Sequence, residues 1–317
     1  MKIPLLVIVG PTAVGKTRLA IKLAHRLGGE IISADSRQVY RYMDIGTAKP
    51  TLAEREGVPH HLMDIIYPDE EFSAAAYQRL AQRAIGEVWQ RKRMPILAGG
   101  TGFYVNAVID NYNFSSTAIN WDFRLRLRRL GEERGGGYLL AKLDQVDPVT
   151  AQRLHPNDLR RIIRALEVYK FTGRPLSQWE EEQEKESPYE LCLIGLNMKR
   201  PLLYERINRR VEEMVAEGLV EEVRGLLAKG YSPALNSMQG LGYKEIIPYL
   251  EGKISLEEAI EVLQRDTRRC AKRQLTWFRR DGRISWFFLP GDKEGEPMEN
   301  ITRFVKGKLH QRSNMLK

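Results

Sequence analysis

Three short stretches carry side chains suited to handling phosphate and protons. The first is GPTAVGKT, residues 10–17, in which Gly10-x-x-x-x-Gly15-Lys16-Thr17 has the P-loop spacing. The two glycines let successive backbone N–H groups turn toward one point, with Pro11, Thr12, Ala13 and Val14 completing the cradle. A helix starting there adds its positive dipole end, Lys16 adds a full charge, and the Thr17 hydroxyl is a ligand for Mg²⁺. The second stretch is EIISAD, 30–35, ending in the carboxylate of Asp35. The third is MPILAGGTG, 94–102, which ends in a glycine turn carrying Thr101. A cradle for diphosphate, a carboxylate and a hydroxyl together make a group-transfer site, with Asp35 as base toward an acceptor nucleophile.

The elements around these stretches must bring them together. LLVIV, 5–9, is a continuous apolar run, as expected of a strand buried on both faces. The spacing of Leu19, Ala20, Leu23, Ala24 and Leu27 predicts a helix over 16–27, ended by Gly28 and Gly29. Strands at 30–35 and 94–102 with a helix over 73–91 between them imply parallel βαβ units. The expected fold is therefore α/β, a P-loop NTPase-like parallel sheet covered by helices. In such sheets ligands lie at the carboxyl ends of the strands, so all three stretches face one crevice.

Residues 111–187 lack a clear strand and read as a mostly helical insertion, assigned to 113–187 with its first boundary inside NYNFSSTAIN, 111–120. The core is then 1–112 and 188–290, with strands at 190–198 and 284–288. A long helix is expected from Pro201 to Lys229 and another over 255–280. Residues 291–317 read as a polar tail with a short helix holding Ile301, Phe304, Val305 and Leu309.

At 317 residues and 43% hydrophobic, the chain can build a sizeable core. No apolar run approaches the roughly 20 residues of a membrane span. Two cysteines, Cys192 and Cys270, are not spaced as metal ligands and read as small hydrophobes in a reducing compartment. A cytoplasmic monomer is the expectation. The formal charge of +9 fits either solubility or a polyanion partner, and its distribution decides. The segment 264–283 holds eight Arg or Lys against two Asp. On a helix, Leu263, Thr267, Cys270, Gln274 and Trp277 form one stripe, while Arg265, Arg269, Lys272 and Arg279 or Arg280 form another. That is a core-facing stripe backed by a basic one, suited to a nucleic-acid backbone. Trp277 reads first as core packing and second as a base-stacking ring. His60-His61-x-x-Asp64 suggests a metal, but adjacent histidines point apart and no third ligand is evident, so structural hydrogen bonds are the expected role.

A P-loop does not say what is attached to its phosphates. From these residues alone, a small-molecule kinase and a transferase with diphosphate as leaving group both survive. A non-enzymatic RNA-binding ATPase would leave Asp35 without a role.

The order of longer motifs separates them. ISADSRQVYRYMDIGTAKP, VPHHLMDI, LAGGTGFYV, HPNDLRRIIRALEVY, TGRPLS, MQGLGYKE and RRCAKRQLTWFRR follow GPTAVGKT in that sequence. Together they closely resemble the bacterial tRNA dimethylallyltransferase (tRNA isopentenyltransferase) family, from about residue 3 to 289. The resemblance implies that the cradle holds the diphosphate of dimethylallyl diphosphate with Mg²⁺ on Thr17. The dimethylallyl group would pass to N6 of the adenosine 3′-adjacent to the anticodon. It implies Asp35 as base, Thr101 at the reacting centre, and Arg206 and Arg210 near the diphosphate.

By the same resemblance, Asp35, Ser36, Arg37, Gln38 and Thr101 would meet the flipped adenosine, Gln38 at a base edge. Extruding a loop base costs only a few kcal/mol. The expected tRNA surface adds Arg160, Arg161 and Arg164 in the insertion, Gln239, Gly240, Gly242, Tyr243 and Lys244, and then Lys272, Arg273, Gln274, Trp277 and Arg279. An adenylate isopentenyltransferase acting on free AMP, ADP or ATP is the alternative within the fold. The insertion and the basic helix favour tRNA, because a free nucleotide needs neither.

Overall fold

The fold starts from the split of one apolar run into two faces. In β1 (Ile3–Val9) successive side chains point to opposite sides. Leu5, Val7 and Val9 enter one core while Leu6 and Ile8 enter another, all fully buried. In the computed structural model, which describes residues 2–114, 120–182, 186–290 and 296–313, β1 lies inside a parallel sheet.

The chain leaves β1 through α1 (Lys16–Leu27) and returns as β2 (Gly29–Ser33). A two-residue strand, β3 (His60–His61), forms one edge, which the sequence reading did not foresee. Then come α2 (Ala74–Gln90), capped by the Ser73 hydroxyl, β4 (Met94–Gly99) and α3 (Gly102–Ile109). After the insertion, β5 (Tyr189–Met198) pairs with β1, and β6 (Ser285–Leu289) pairs with β5. The order is β3-β2-β4-β1-β5-β6, with every pairing parallel. Strands are added on both sides of β1, so its carboxyl end is the switch point where a ligand crevice opens.

Residues 110–186 form a compact unit of their own, joined to the unit of 1–109 and 187–317. It holds α4 (Trp121–Arg134), α5 (Gly136–Asp144), α6 (Pro148–Ala151), α7 (Leu159–Thr172) and α8 (Leu176–Glu181). Leu127, Leu139, Leu143, Ile162 and Ala165 make its core. The fully buried Glu167 ties it together by accepting from Arg124, Arg164 and the Asn120 N–H. Of the 111–120 stretch, residues 115–119 lie outside the described residues.

In the first unit, α9 (Arg200–Ala216) and α10 (Leu219–Ala228) replace the single helix expected to Lys229. Gly218, at φ 105, breaks the run in a conformation that side chains other than glycine rarely adopt. Next come α11 (Tyr243–Leu250), α12 (Leu256–Phe278), with a Ser255/Glu258 capping box, and α13 (Glu296–Ser313). The helix expected to be short in the tail is 18 residues long. Its Ile301 and Val305 are buried in the core that contains α1, so it belongs to this unit and is not a separate tail. No described helix is long and apolar enough to cross a membrane.

Candidate active site

The crevice is built on close approaches that only glycine permits. At Gly10, φ is 147 and a Cβ would sit 2.6 Å from the Leu196 carbonyl oxygen, so the loop leaves β1 pressed against β5. Ala13 (φ 62) and Gly15 (φ 99) turn left-handed, curling residues 10–17 into a nest at the start of α1. Lys16 Nζ donates to the Pro11 carbonyl at 2.7 Å, bridging the loop.

Burial brings the Lys16 ammonium down to about 8; Asp35 opposes that shift and the Arg210 charge adds to it. Arg210, on α9, is likewise lowered by burial, and Asp35 is the largest charge opposing the change. Lys16, Arg210 and Asp35 therefore lie within electrostatic reach of one another. Arg206 lies one helical turn earlier and is half-buried.

Asp35 is set by the joined ends of β2 and β4. Ala34 donates to the Ala98 carbonyl at 2.8 Å and Thr101 donates to the Ala34 carbonyl at 3.1 Å. A Cβ at position 99 would lie 2.1 Å from the Ala34 oxygen, so this contact requires Gly99. Asp35 Oδ1 accepts from the Arg37 N–H at 2.8 Å. Thr101 Oγ1 accepts from the Ser36 N–H at 3.0 Å, which makes Thr101 a brace for the Asp35 turn.

Several expected contact residues turn inward. Gln38 is buried; its Oε1 takes the Ser33 hydroxyl at 2.9 Å and its Nε2 donates to Thr47 and Ala48 carbonyls. It fastens a loop to β2. Tyr243 is fully buried and donates to Glu222 at 2.7 Å. Gly242 takes φ 93 and caps α11. Gln239 and Lys244 are exposed. Arg37 Nη1 donates to the Asn236 carbonyl, and a Cβ on Gly240 would be 3.3 Å from Arg37. The 35–38 and 236–244 segments, far apart in sequence, therefore meet. In the other unit Arg160 and Arg161 are exposed, and Arg164 is 2.6 Å from Glu167.

Glu222 had no signal in the sequence. Its carboxylate accepts from the backbone N–H groups of Asp44, Ile45 and Gly46 at 2.9, 2.8 and 3.1 Å. Nearby, buried Lys49 pairs with Asp44 and Asp64 and donates to the Tyr40 carbonyl at 2.9 Å. His61 contacts Glu30 at 2.7 Å, Arg91 holds the same carboxylate, and His60 Nδ1 lies 2.8 Å from the Val58 carbonyl.

α12 faces the crevice with the stripe read as core-facing. Cys270 is charge-coupled to Asp35 and Lys16, and burial raises its thiol. Gln274 reaches both glycine turns, accepting from the Thr12 N–H at 2.8 Å and donating to the Gly100 carbonyl at 3.0 Å. Trp277 packs partly into the core beside α3. On the outward side, Arg269, Lys272, Arg273, Thr276 and Arg280 line one depression with the Trp277 edge. Arg279, at the helix end, is exposed.

Among the described residues no group of three His, Cys, Asp or Glu side chains is arranged to hold a metal.

The IPP transferase family model matches residues 38–281. A tRNA dimethylallyltransferase of Carboxydothermus hydrogenoformans is 54% identical over 302 residues, covering 95% of this chain and 96% of that protein. One from Caldanaerobacter subterraneus is 51% identical, covering 98% and 99%. The crystal structure of a full-length tRNA isopentenylpyrophosphate transferase from Bacillus halodurans superposes with a TM-score of 0.75 at 48% identity, covering 99% of both chains. A eukaryotic dimethylallyltransferase seen acting on tRNA gives 0.78 at 29% identity, covering 96% of this chain and 85% of that one. By sequence and fold, the chain belongs to the IPP transferase family.

Proposed function

We propose that the chain transfers the dimethylallyl group of dimethylallyl diphosphate to N6 of the adenosine 3′-adjacent to the anticodon in tRNA, releasing diphosphate. The observation that carries this is the meeting of the phosphate nest, Lys16, Arg210 and Asp35 at one end of the sheet, beneath a helix whose other face is basic.

The C1–O bond of the donor breaks and its electrons leave with the diphosphate. The allylic fragment is delocalised, so the main charge to stabilise builds on the leaving oxygens. The nest N–H groups, Lys16 and Arg210 would stabilise that charge. Mg²⁺ on Thr17 would add positive charge at the same leaving group. The N6 lone pair forms the new C–N bond, and Asp35 takes the proton that N6 loses. Thr101 and the Arg37 N–H brace the Asp35 turn, which supports a carboxylate held ready for N6. Arg269, Lys272, Arg273 and Arg280 hold the RNA backbone. The protein acts as a cytoplasmic monomer in this reading.

Label transfer tests it. Purified protein with Mg²⁺ and unmodified tRNA is given labelled dimethylallyl diphosphate or γ-labelled ATP, with free AMP as a parallel acceptor. Prenyl label on tRNA and none on AMP is expected. Label on AMP would assign a free-nucleotide prenyltransferase, and phosphate label moving from ATP a kinase.

A further inference from the structure

We propose that Gln274 is a positioning residue that locks the P-loop to the GGTG turn, and that it is not an RNA contact. This role rests on the diphosphate reading of the same nest.

The side chain is chemically matched to the task. Its carbonyl accepts the Thr12 N–H at 2.8 Å and its amino group donates to the Gly100 carbonyl at 3.0 Å. Only an amide offers an acceptor and a donor side by side on one short plane. A carboxylate would lose the donor and a lysine the acceptor. The position is equally specific, because a Cβ at residue 100 would be 2.4 Å from Gln274 Nε2. One turn along α12, Trp277 keys in the same way, and a Cβ at Gly102 would lie 2.2 Å from its ring. The glycines of this turn are therefore sockets for two α12 side chains as well as turn formers.

The lock also explains the start of the P-loop. Pro11 has no N–H, and the Thr12 N–H is directed out of the nest to Gln274. The first half of the loop is thus fixed from outside, and the donors for a ligand come from the residues after Thr12. Lys16, tied to the Pro11 carbonyl, is held by the same piece of backbone. Lys272, Arg273 and Thr276 stand on the outward side of this helix, so one rigid element carries both the RNA-facing cations and the anchor of the nest.

The test separates the two ligands. Calorimetric titration with inorganic diphosphate and Mg²⁺, without RNA, is run on the wild type, Gln274→Leu and Arg273→Ala, alongside tRNA binding and steady-state kinetics. Gln274→Leu removes both hydrogen bonds at similar volume. It should weaken diphosphate binding by about tenfold, the scale of one or two lost hydrogen bonds. It should raise KM for the prenyl donor and leave tRNA affinity and KM for tRNA within about twofold. Arg273→Ala should do the reverse. If Gln274→Leu does not fold, Gln274→Glu, which keeps the acceptor and the shape, must show the same split. Loss of tRNA affinity with diphosphate binding intact would make Gln274 an RNA contact and overturn the proposal, as would no change in either ligand. Wild-type protein that binds diphosphate but transfers no prenyl label would overturn the reaction assigned above and leave this role standing.

Discussion

The two long sides of α12 differ in how they are held. The inward side carries Gln274 and Trp277 pressed onto Gly100 and Gly102, at separations that leave no room for a methyl group. The outward side carries Lys272, Arg273, Thr276 and Arg280, all exposed. The first depends on fit and the second on charge. Changes on the crevice side should therefore act sharply and ignore salt, while changes on the outer side should act gradually and follow it.

The largest effect is expected beneath the inner side. Asp35→Ala should cut the single-turnover rate by about 10²–10⁴-fold, the range for removing a general base, with tRNA affinity unchanged within a few-fold. A large loss of affinity at a nearly normal rate would show that Asp35 binds and does not act as a base.

Lys16→Met should weaken diphosphate by roughly tenfold or more, as expected when a partly buried charge partner is lost. The wild type should also bind diphosphate more weakly as pH rises past about 8, where the free protein's ammonium loses its proton, and the variant should lack that component. Stability gives an independent sign. The unfolded chain keeps this proton up to about 10.5 and the folded one only to about 8, so unfolded chains bind more protons in that window. Wild-type stability relative to Lys16→Met should consequently rise between those pH values. Thermal melts across pH 7–11 check it, and a fall would contradict the lowering of the Lys16 ammonium in the free protein.

Gly102→Ala tests the fit directly, since its methyl would meet the Trp277 ring. A loss of about 1–3 kcal/mol in denaturant unfolding is expected for overpacking. A neutral result would mean that the contact yields freely and the inner side is less rigid than described. Lys272→Ala with Arg273→Ala should have the mildest consequence: several-fold weaker tRNA binding and a salt slope shallower by about 1–2. An unchanged slope would move the RNA surface off this helix.

What could be read from the sequence follows the distance over which each feature is determined. The nest, Lys16 and the carboxylate at the end of β2 were legible because their spacing is local and strand ends in a parallel sheet share one edge. The lock between Thr12 and Gln274 joins residues 262 positions apart, and no periodicity announces it. The stripe of Cys270, Gln274 and Trp277 was visible as a stripe, but a helix pattern cannot say whether it faces a core or a crevice. Gln38 and Tyr243 sit inside motifs that resemble substrate-contacting ones, and no local pattern announces that both are buried with hydrogen bonds inside the protein. The break at Gly218 was hidden because apolar residues continue with helical spacing on both sides.

Glu222 gives the molecule a second, different kind of selectivity. Three successive backbone N–H groups converging on one point form an anion cradle of the same general sort as the P-loop. Here the occupant is covalently part of the chain, so a free phosphate would compete against a tethered carboxylate at an effective concentration of about millimolar or above. The cradle at residues 44–46 is thus filled by the chain itself, which sets it apart from the P-loop.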